Sequence, residues 1–139
     1  MMTIRAFQAE DTAAVISLWA DCGLLAPQND PRKDIARKLR VYPEGFLVGE
    51  YEGRIVAACM AGYEGHRGWI NYLAVSPAYR RRGLGREMMT AAEALLSAAG
   101  CPKINLQVRT ANRDVLAFYK ALGFGVDDVV SLGKRLEKD

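Results

Sequence analysis

Leu73-Ala74-Val75-Ser76-Pro77-Ala78-Tyr79-Arg80-Arg81-Arg82-Gly83-Leu84-Gly85-Arg86 is the stretch whose reading decides the fold. Trp69 to Val75 has the character of a strand, and Pro77 follows it. Beyond Gly85 the apolar residues Met88, Ala92, Leu95, Leu96 and Ala99 recur at helical spacing, and Gly100 ends the run. A strand therefore feeds a helix through a loop with two glycines and three consecutive arginines. Glycine lets a backbone turn sharply and approach a ligand closely. The first amides of a helix have no internal partners, and the helix dipole is positive at that end. Phosphate groups bind well in such a place, and arginine adds charge around it. The lysine of a Walker loop and the third glycine of a Rossmann fingerprint are both missing. A plain surface turn with solvated arginines is the alternative that these residues leave open.

Working outward, Thr3 to Phe7 reads as a first strand, and a helix from about Asp11 carries Val15, Leu18, Trp19 and Cys22 at helical spacing. Asp30-Pro31 is an N-cap followed by proline, opening a short helix through Ile35 and Leu39. Its basic residues Arg32, Lys33, Arg37, Lys38 and Arg40 read as a solvated face. Phe46 to Tyr51 and Arg54 to Tyr63 are strands joined by a tight turn at Glu52-Gly53. Glu64-Gly65-His66-Arg67-Gly68 is a second hairpin connection. Ile104, Leu106 and Val108 alternate with Asn105, Gln107 and Arg109, the pattern of a half-buried strand. Asn112 can cap a helix bearing Val115, Phe118, Tyr119 and Leu122, which Gly123 stops so that Phe124 folds back on it. A last strand is expected over Val126 to Leu132. The order predicts an α/β domain with a mixed sheet.

The chain has 139 residues, half of them hydrophobic and a quarter charged. That suits one domain over residues 1–139 and excludes disorder and collagen-like repeats. No apolar run reaches the roughly 18 residues needed to cross a bilayer. Glu10, Asp11 and Asp21 interrupt the first apolar stretch, so it does not read as a signal peptide. Cys22, Cys59 and Cys101 are widely spaced and odd in number, which argues against a disulfide framework or a zinc site and fits a reducing cytoplasm. No metal-ligand cluster is visible. The net charge is +3, and Arg80-Arg81-Arg82 alone supplies three positive charges. A nucleic-acid binder would spread its basic residues over a face; an excess at one point suits a compact anionic ligand, with no nucleic acid and no membrane as partner.

Two segments together carry a family resemblance. Arg80-x-x-Gly83-x-Gly85 resembles the acetyl-CoA signature of the GNAT superfamily of N-acetyltransferases. Asn112-Arg113-Asp114-Val115-Leu116-Ala117-Phe118-Tyr119-Lys120-Ala121-Leu122-Gly123-Phe124 resembles the second half of that pattern, in the right order and at the right separation. The resemblance implies a GNAT fold: a mostly antiparallel mixed sheet with helices on both faces, splayed between the strands near Val75 and Leu106. It implies acetyl-CoA as acyl donor, with its diphosphate on the amides of Arg82, Gly83, Leu84, Gly85 and Arg86 and with Arg80 and Arg81 beside it. The pantetheine arm would lie along Leu73, Ala74 and Val75 as a surrogate strand. Asn112 would touch the pantetheine, although its plain N-cap role stands equally well. Tyr119 would lie near the thioester sulfur and help the thiolate leave; its spacing from Val115 and Leu122 equally supports a core tyrosine. Family members are often dimers, so a homodimer is an expectation of the same kind.

The base and the acceptor are less legible. Leu106-Gln107-Val108-Arg109 is similar to a Leu-Glu-Val-Arg stretch in ribosomal-protein N-terminal acetyltransferases, where the Glu is the usual base; this chain has Gln107. A second common Glu position is Asn71 here. Glu64 and His66 are the remaining candidates, with two exposed polar residues on a hairpin as the alternative; His66 is the only histidine and its ordinary pKa near 6.5 suits a base. Gly62-Tyr63 and Trp69 to Tyr72 are candidate walls of an acceptor groove, or core. The expected activity is acetyl transfer to a primary amine by direct attack in a ternary complex, with a non-catalytic acyl-CoA sensor as the alternative.

Overall fold

The computed structural model describes residues 1–139. The chain falls into two compact units, Met1–Leu106 and Gln107–Asp139.

The first unit holds one five-stranded sheet in the order β1 (Thr3–Ala6), β2 (Phe46–Tyr51), β3 (Arg54–Tyr63), β4 (Gly68–Val75) and β5 (Ile104–Leu106). The first three pairings are antiparallel, and β5 adds to β4 in parallel. Helix α1 (Thr12–Asp21) buries Val15, Leu18 and Trp19, as its spacing predicts. Helix α2 (Pro31–Arg40) is capped by Asp30, whose side chain accepts from the amides of Arg32 and Lys33. It buries a single residue, Ile35. These helices close a core with Phe46 and Val48 of β2, Ala58 and Met60 of β3 and Ala74 of β4. Side chains alternate along a strand. Ala57, Cys59 and Ala61 therefore face the other way, onto the side where helix α3 (Leu84–Ala98) packs against β3 with Met88, Met89, Ala92 and Leu96 buried. Burial pushes the Cys59 thiol up to about 12, so it is a packing residue. Leu95 is half-buried and Ala99 is exposed beyond the helix, so the buried stripe is shorter than its spacing predicts.

A polar fork and an aromatic stack lie within the first unit. Arg5 forks onto Asp11 at 2.8 and 2.9 Å and reaches Glu50 at 3.0 Å. The Arg5 hydrogen bond holds the buried Asp11 carboxyl below its usual range, and the Gln8 amide works in the same direction. Trp19 is fully buried, with its ring 4.0 Å from Tyr72 and 6.4 Å from Phe46. Its indole N–H has no acceptor.

The second unit contains one element, α4 (Arg113–Ala121). Asn112 caps it by accepting from the amide of Val115 at 3.3 Å. Gly123 has φ 97°, and the Phe124 amide returns to the Tyr119 carbonyl, as the glycine-terminated ending predicts. The strand expected over Val126 to Leu132 does not form, and Val126, Val129, Val130 and Leu132 are exposed. A strand needs a ladder to pair on, and this unit offers none. The strand expected through Arg109 likewise ends at Leu106.

Candidate active site

The site begins where β4 stops being a regular strand. Ala58 pairs with Ala74 and Met60 with Asn71, so Tyr72 and Leu73 together oppose Cys59. This is a β-bulge, which bends the strand and increases its twist. The parallel ladder to β5 ends just before it, at Ile70 with Leu106. The β5-side edge of β4 is therefore without a strand from Asn71 to Val75, as the expected splay requires. The Val75 carbonyl accepts from Cys22 Sγ and Arg80 Nε, each at 3.3 Å.

The loop after β4 makes a 3-10 turn at Pro77–Tyr79 and then alternates its backbone. Arg81 (φ 66°) and Gly83 (φ 76°) are both left-handed, and Gly83 is the N-cap of the 15-residue α3. Alternation of this kind turns successive amides toward one side, as in anion-binding nests. From Arg80 through Arg86 no amide donates to a protein acceptor. Arg80, Arg81, Arg82 and Arg86 are exposed around them. Arg82 lies over the Tyr79 ring at 5.0 Å, and Tyr79 meets Tyr51 edge-on. Leu84 is buried and roots the loop in the core. Unpaired amides at a helix start, ringed by guanidinium groups, have the chemistry to hold a diphosphate.

The hairpin candidates lie at the other end of β4, between Tyr63 and Gly68. Glu64 accepts from the amide of His66 at 3.0 Å and from that of Arg67, so its carboxylate closes its own turn. Glu64 and His66 are both exposed. Gly68 pairs with Tyr63, and the bulge with Leu73 lies opposite Cys59, four residues along β3, about 13 Å at a strand rise of about 3.3 Å per residue. Asn71 is exposed, and Gln107 donates to Ser131 Oγ. Of the aromatic candidates, Trp69 is exposed, Tyr63 bonds to the Gly65 carbonyl, and Tyr72 turns into the α1–α2 core.

Within α4, Tyr119 is the one buried residue, its ring edge-on to Phe118 at 5.0 Å and to Phe124 at 5.5 Å.

Sequence reading missed the inward face of α2. Asp34 Oδ2 accepts from the Tyr72 hydroxyl at 2.7 Å, and its Oδ1 from Arg37 Nη1 at 3.2 Å. Lys38 Nζ donates to the Ala61 carbonyl at 2.5 Å and sits 5.3 Å from the Tyr42 ring centre. Burial lowers the Lys38 pKa. Arg37 and Lys38 thus leave the solvated face assigned to them. The local signal was the spacing Asp34, Ile35, Lys38, one stripe of a helix.

Comparison with known proteins bears on this geometry. The sequence matches the family described as "Acetyltransferase (GNAT) family" over residues 10–124. It is 49% identical over 138 residues to a protein named "Acetyltransferase" from Yersinia pestis (strain Pestoides F), covering 99% of this chain and 98% of that one. Among solved structures it is similar to Ard1 from Thermoplasma volcanium, with TM-score 0.79, 27% identity and coverage of 91% of this chain and 84% of that one. It also shares the fold of the ribosomal-protein-S18-alanine N-acetyltransferase from Escherichia coli, with TM-score 0.75, 24% identity and coverage of 90% and 78%.

Proposed function

The chain belongs to the GNAT acetyltransferase family and is an N-acetyltransferase; from that premise we propose that residues 1–139 act as one domain moving the acetyl group of acetyl-CoA to an α-amine by direct attack in a ternary complex. The observation that carries the donor half is the run of unpaired amides from Arg80 to Arg86 at the start of α3. These amides would take the diphosphate, with Arg80, Arg81, Arg82 and Arg86 as counter-charge. The edge of β4 at Leu73, Ala74 and Val75 would take the pantetheine arm, with Asn112 as a further contact. The neutral amine attacks the thioester carbonyl, the carbon–sulfur bond breaks, the sulfur leaves as thiolate, and the proton shed by the amine nitrogen passes to solvent water. Tyr119 is assigned to that departure. A phenol with pKa near 10 lies about 1.5 units above a thiol near 8.5, so a hydrogen bond that strengthens as charge develops suits it better than full proton transfer.

The α-amine assignment follows from the carboxylates. Asn71 and Gln107 hold the usual positions, Glu64 closes its turn, and Asp34 is engaged by Tyr72 and Arg37. Without a strong base, the amine must supply its own neutral form. At pH 7 that is about one molecule in seven for an α-amine with pKa near 7.8, and about one in 2,500 for a lysine near 10.4. The three free cysteines support a cytoplasmic setting.

Calorimetric titration of coenzyme A tests the donor half, and free-thiol release over peptides, lysine analogues and polyamines tests the acceptor. Release with free peptide N-termini, and little with N-blocked lysine peptides, is the expected result. Preference for lysine peptides would overturn the α-amine assignment. Coenzyme A binding without transfer to any amine would replace the enzyme reading with an acyl-CoA sensor.

A further inference from the structure

Four non-glycine residues have positive φ: Tyr42, Glu52, Tyr72 and Arg81. Only Tyr72 (φ 55°) lies inside a strand. The left-handed residue of a bulge is ordinarily glycine, and a bulky side chain there is strained. Strain of this kind persists only where surrounding contacts over-determine it, and it gathers at functional sites. Here the contacts are explicit. The Tyr72 ring stacks on the fully buried Trp19 at 4.0 Å and 16°. Its hydroxyl donates to Asp34 Oδ2 at 2.7 Å, and Arg37 steadies the same carboxylate. Helix α2 buries only Ile35, so polar contacts fasten it to the sheet: Asp34 to the bulge of β4, and Lys38 one turn later to Ala61 of β3. Core packing alone does not account for this arrangement, because an apolar residue in a regular strand would fill the same space without strain.

We propose that Tyr72 and Asp34 are positioning residues, which pin the β4 bulge to helix α2 so that the edge from Leu73 to Val75 is held ready for the acyl donor. The functional part of this proposal rests on the acetyl-CoA reading above. The pin itself is a property of the first unit and can be read without substrate.

Three variants test it. Tyr72→Phe keeps the ring stack and removes the hydroxyl; Asp34→Ala removes the acceptor; Asp34→Asn keeps an oxygen that can accept from the hydroxyl. Tyr72→Phe and Asp34→Ala are expected to lower kcat/KM for acetyl-CoA about tenfold, mainly through KM, since small misplacements near reacting groups are costly. Asp34→Asn should recover most of that loss and keep the parent pH–rate profile. Amide hydrogen exchange at Leu73 and Ala74 should quicken in Tyr72→Phe and Asp34→Ala, whether or not substrate is turned over. Parent kinetics and parent exchange in Tyr72→Phe would overturn the proposal. So would Asp34→Asn as impaired as Asp34→Ala with the acidic limb of its profile lost, because Asp34 would then be taking a proton. If the unaltered chain neither binds coenzyme A nor releases thiol, the acetyl-CoA reading fails, and exchange alone decides the pin.

Discussion

Replacing Gly83 by alanine separates the fold from the ligand site in one residue. Gly83 has φ 76°, and a methyl group built on it meets nothing within 4 Å. The folded chain therefore loses only the backbone term, about 1–2 kcal/mol for an L-residue held in the left-handed region. In a chain of this size that is a drop in Tm of roughly 3–10 °C. Gly53, in the β2–β3 turn, is a matched control, with φ 75° and nothing within 4 Å. Gly53→Ala should lose about the same stability. The ligand distinguishes the two. The Gly83 methyl group would stand beside the unpaired amides, where a phosphoryl oxygen must come within hydrogen-bond distance. Losing one charge-assisted hydrogen bond costs about 1.5–3 kcal/mol, or roughly 10- to 100-fold in Kd. Thermal unfolding and calorimetric titration of coenzyme A on both variants check this. Coenzyme A affinity that is unchanged in Gly83→Ala, or weakened equally in Gly53→Ala, would refute the assignment of the loop.

Tyr119→Phe should lower turnover by about 100-fold while the KM for acetyl-CoA stays near the parent value, as steady-state kinetics would show; an unchanged kcat removes Tyr119 from the chemistry. Glu64→Gln and His66→Ala should each give a pH–rate profile that overlays the parent, since the hairpin lies about 13 Å or more along the sheet from Leu73; a shifted limb in either would bring that hairpin into proton transfer. Asp11→Asn should cost about 1–3 kcal/mol at pH 7 by weakening the Arg5 fork. Because the folded-state pKa of Asp11 is depressed, its contribution is fully present above the unfolded value near 3.9 and is lost as pH falls through the folded one. Denaturant midpoints of parent and variant should therefore converge below about pH 4; a constant gap down to pH 2 would show that the carboxylate charge is not what stabilises.

Much of the candidate site is local and legible locally. The loop from Ser76 to Arg86 announces itself through its proline, its arginine run and its glycines, and the amides it leaves open follow from the α3 helix starting at Leu84. The caps Asp30 and Asn112 and the stop at Gly123 are encoded within a few residues of where they act. Glu64 is different, because the same carboxylate that suits a base also suits closure of its own turn, and the hydrogen bonds to the amides of His66 and Arg67 are visible only in the structure.

The amino-acid order by itself determined the succession of strands and helices in the first unit, the buried stripe of α1 and the residue types of the arginine loop. Hydrophobic period, caps and turn residues act over one or two turns of chain, and they can be read without a partner. Only the tertiary structure decided that Tyr72 would occupy a left-handed bulge, that Asp34, 38 residues away, would receive its hydroxyl, and that Val126 to Leu132 would form no strand. Each of these depends on what another segment brings to the contact. Strand pairing and a buried hydrogen bond are properties of two places in the chain at once, and periodicity reports on one.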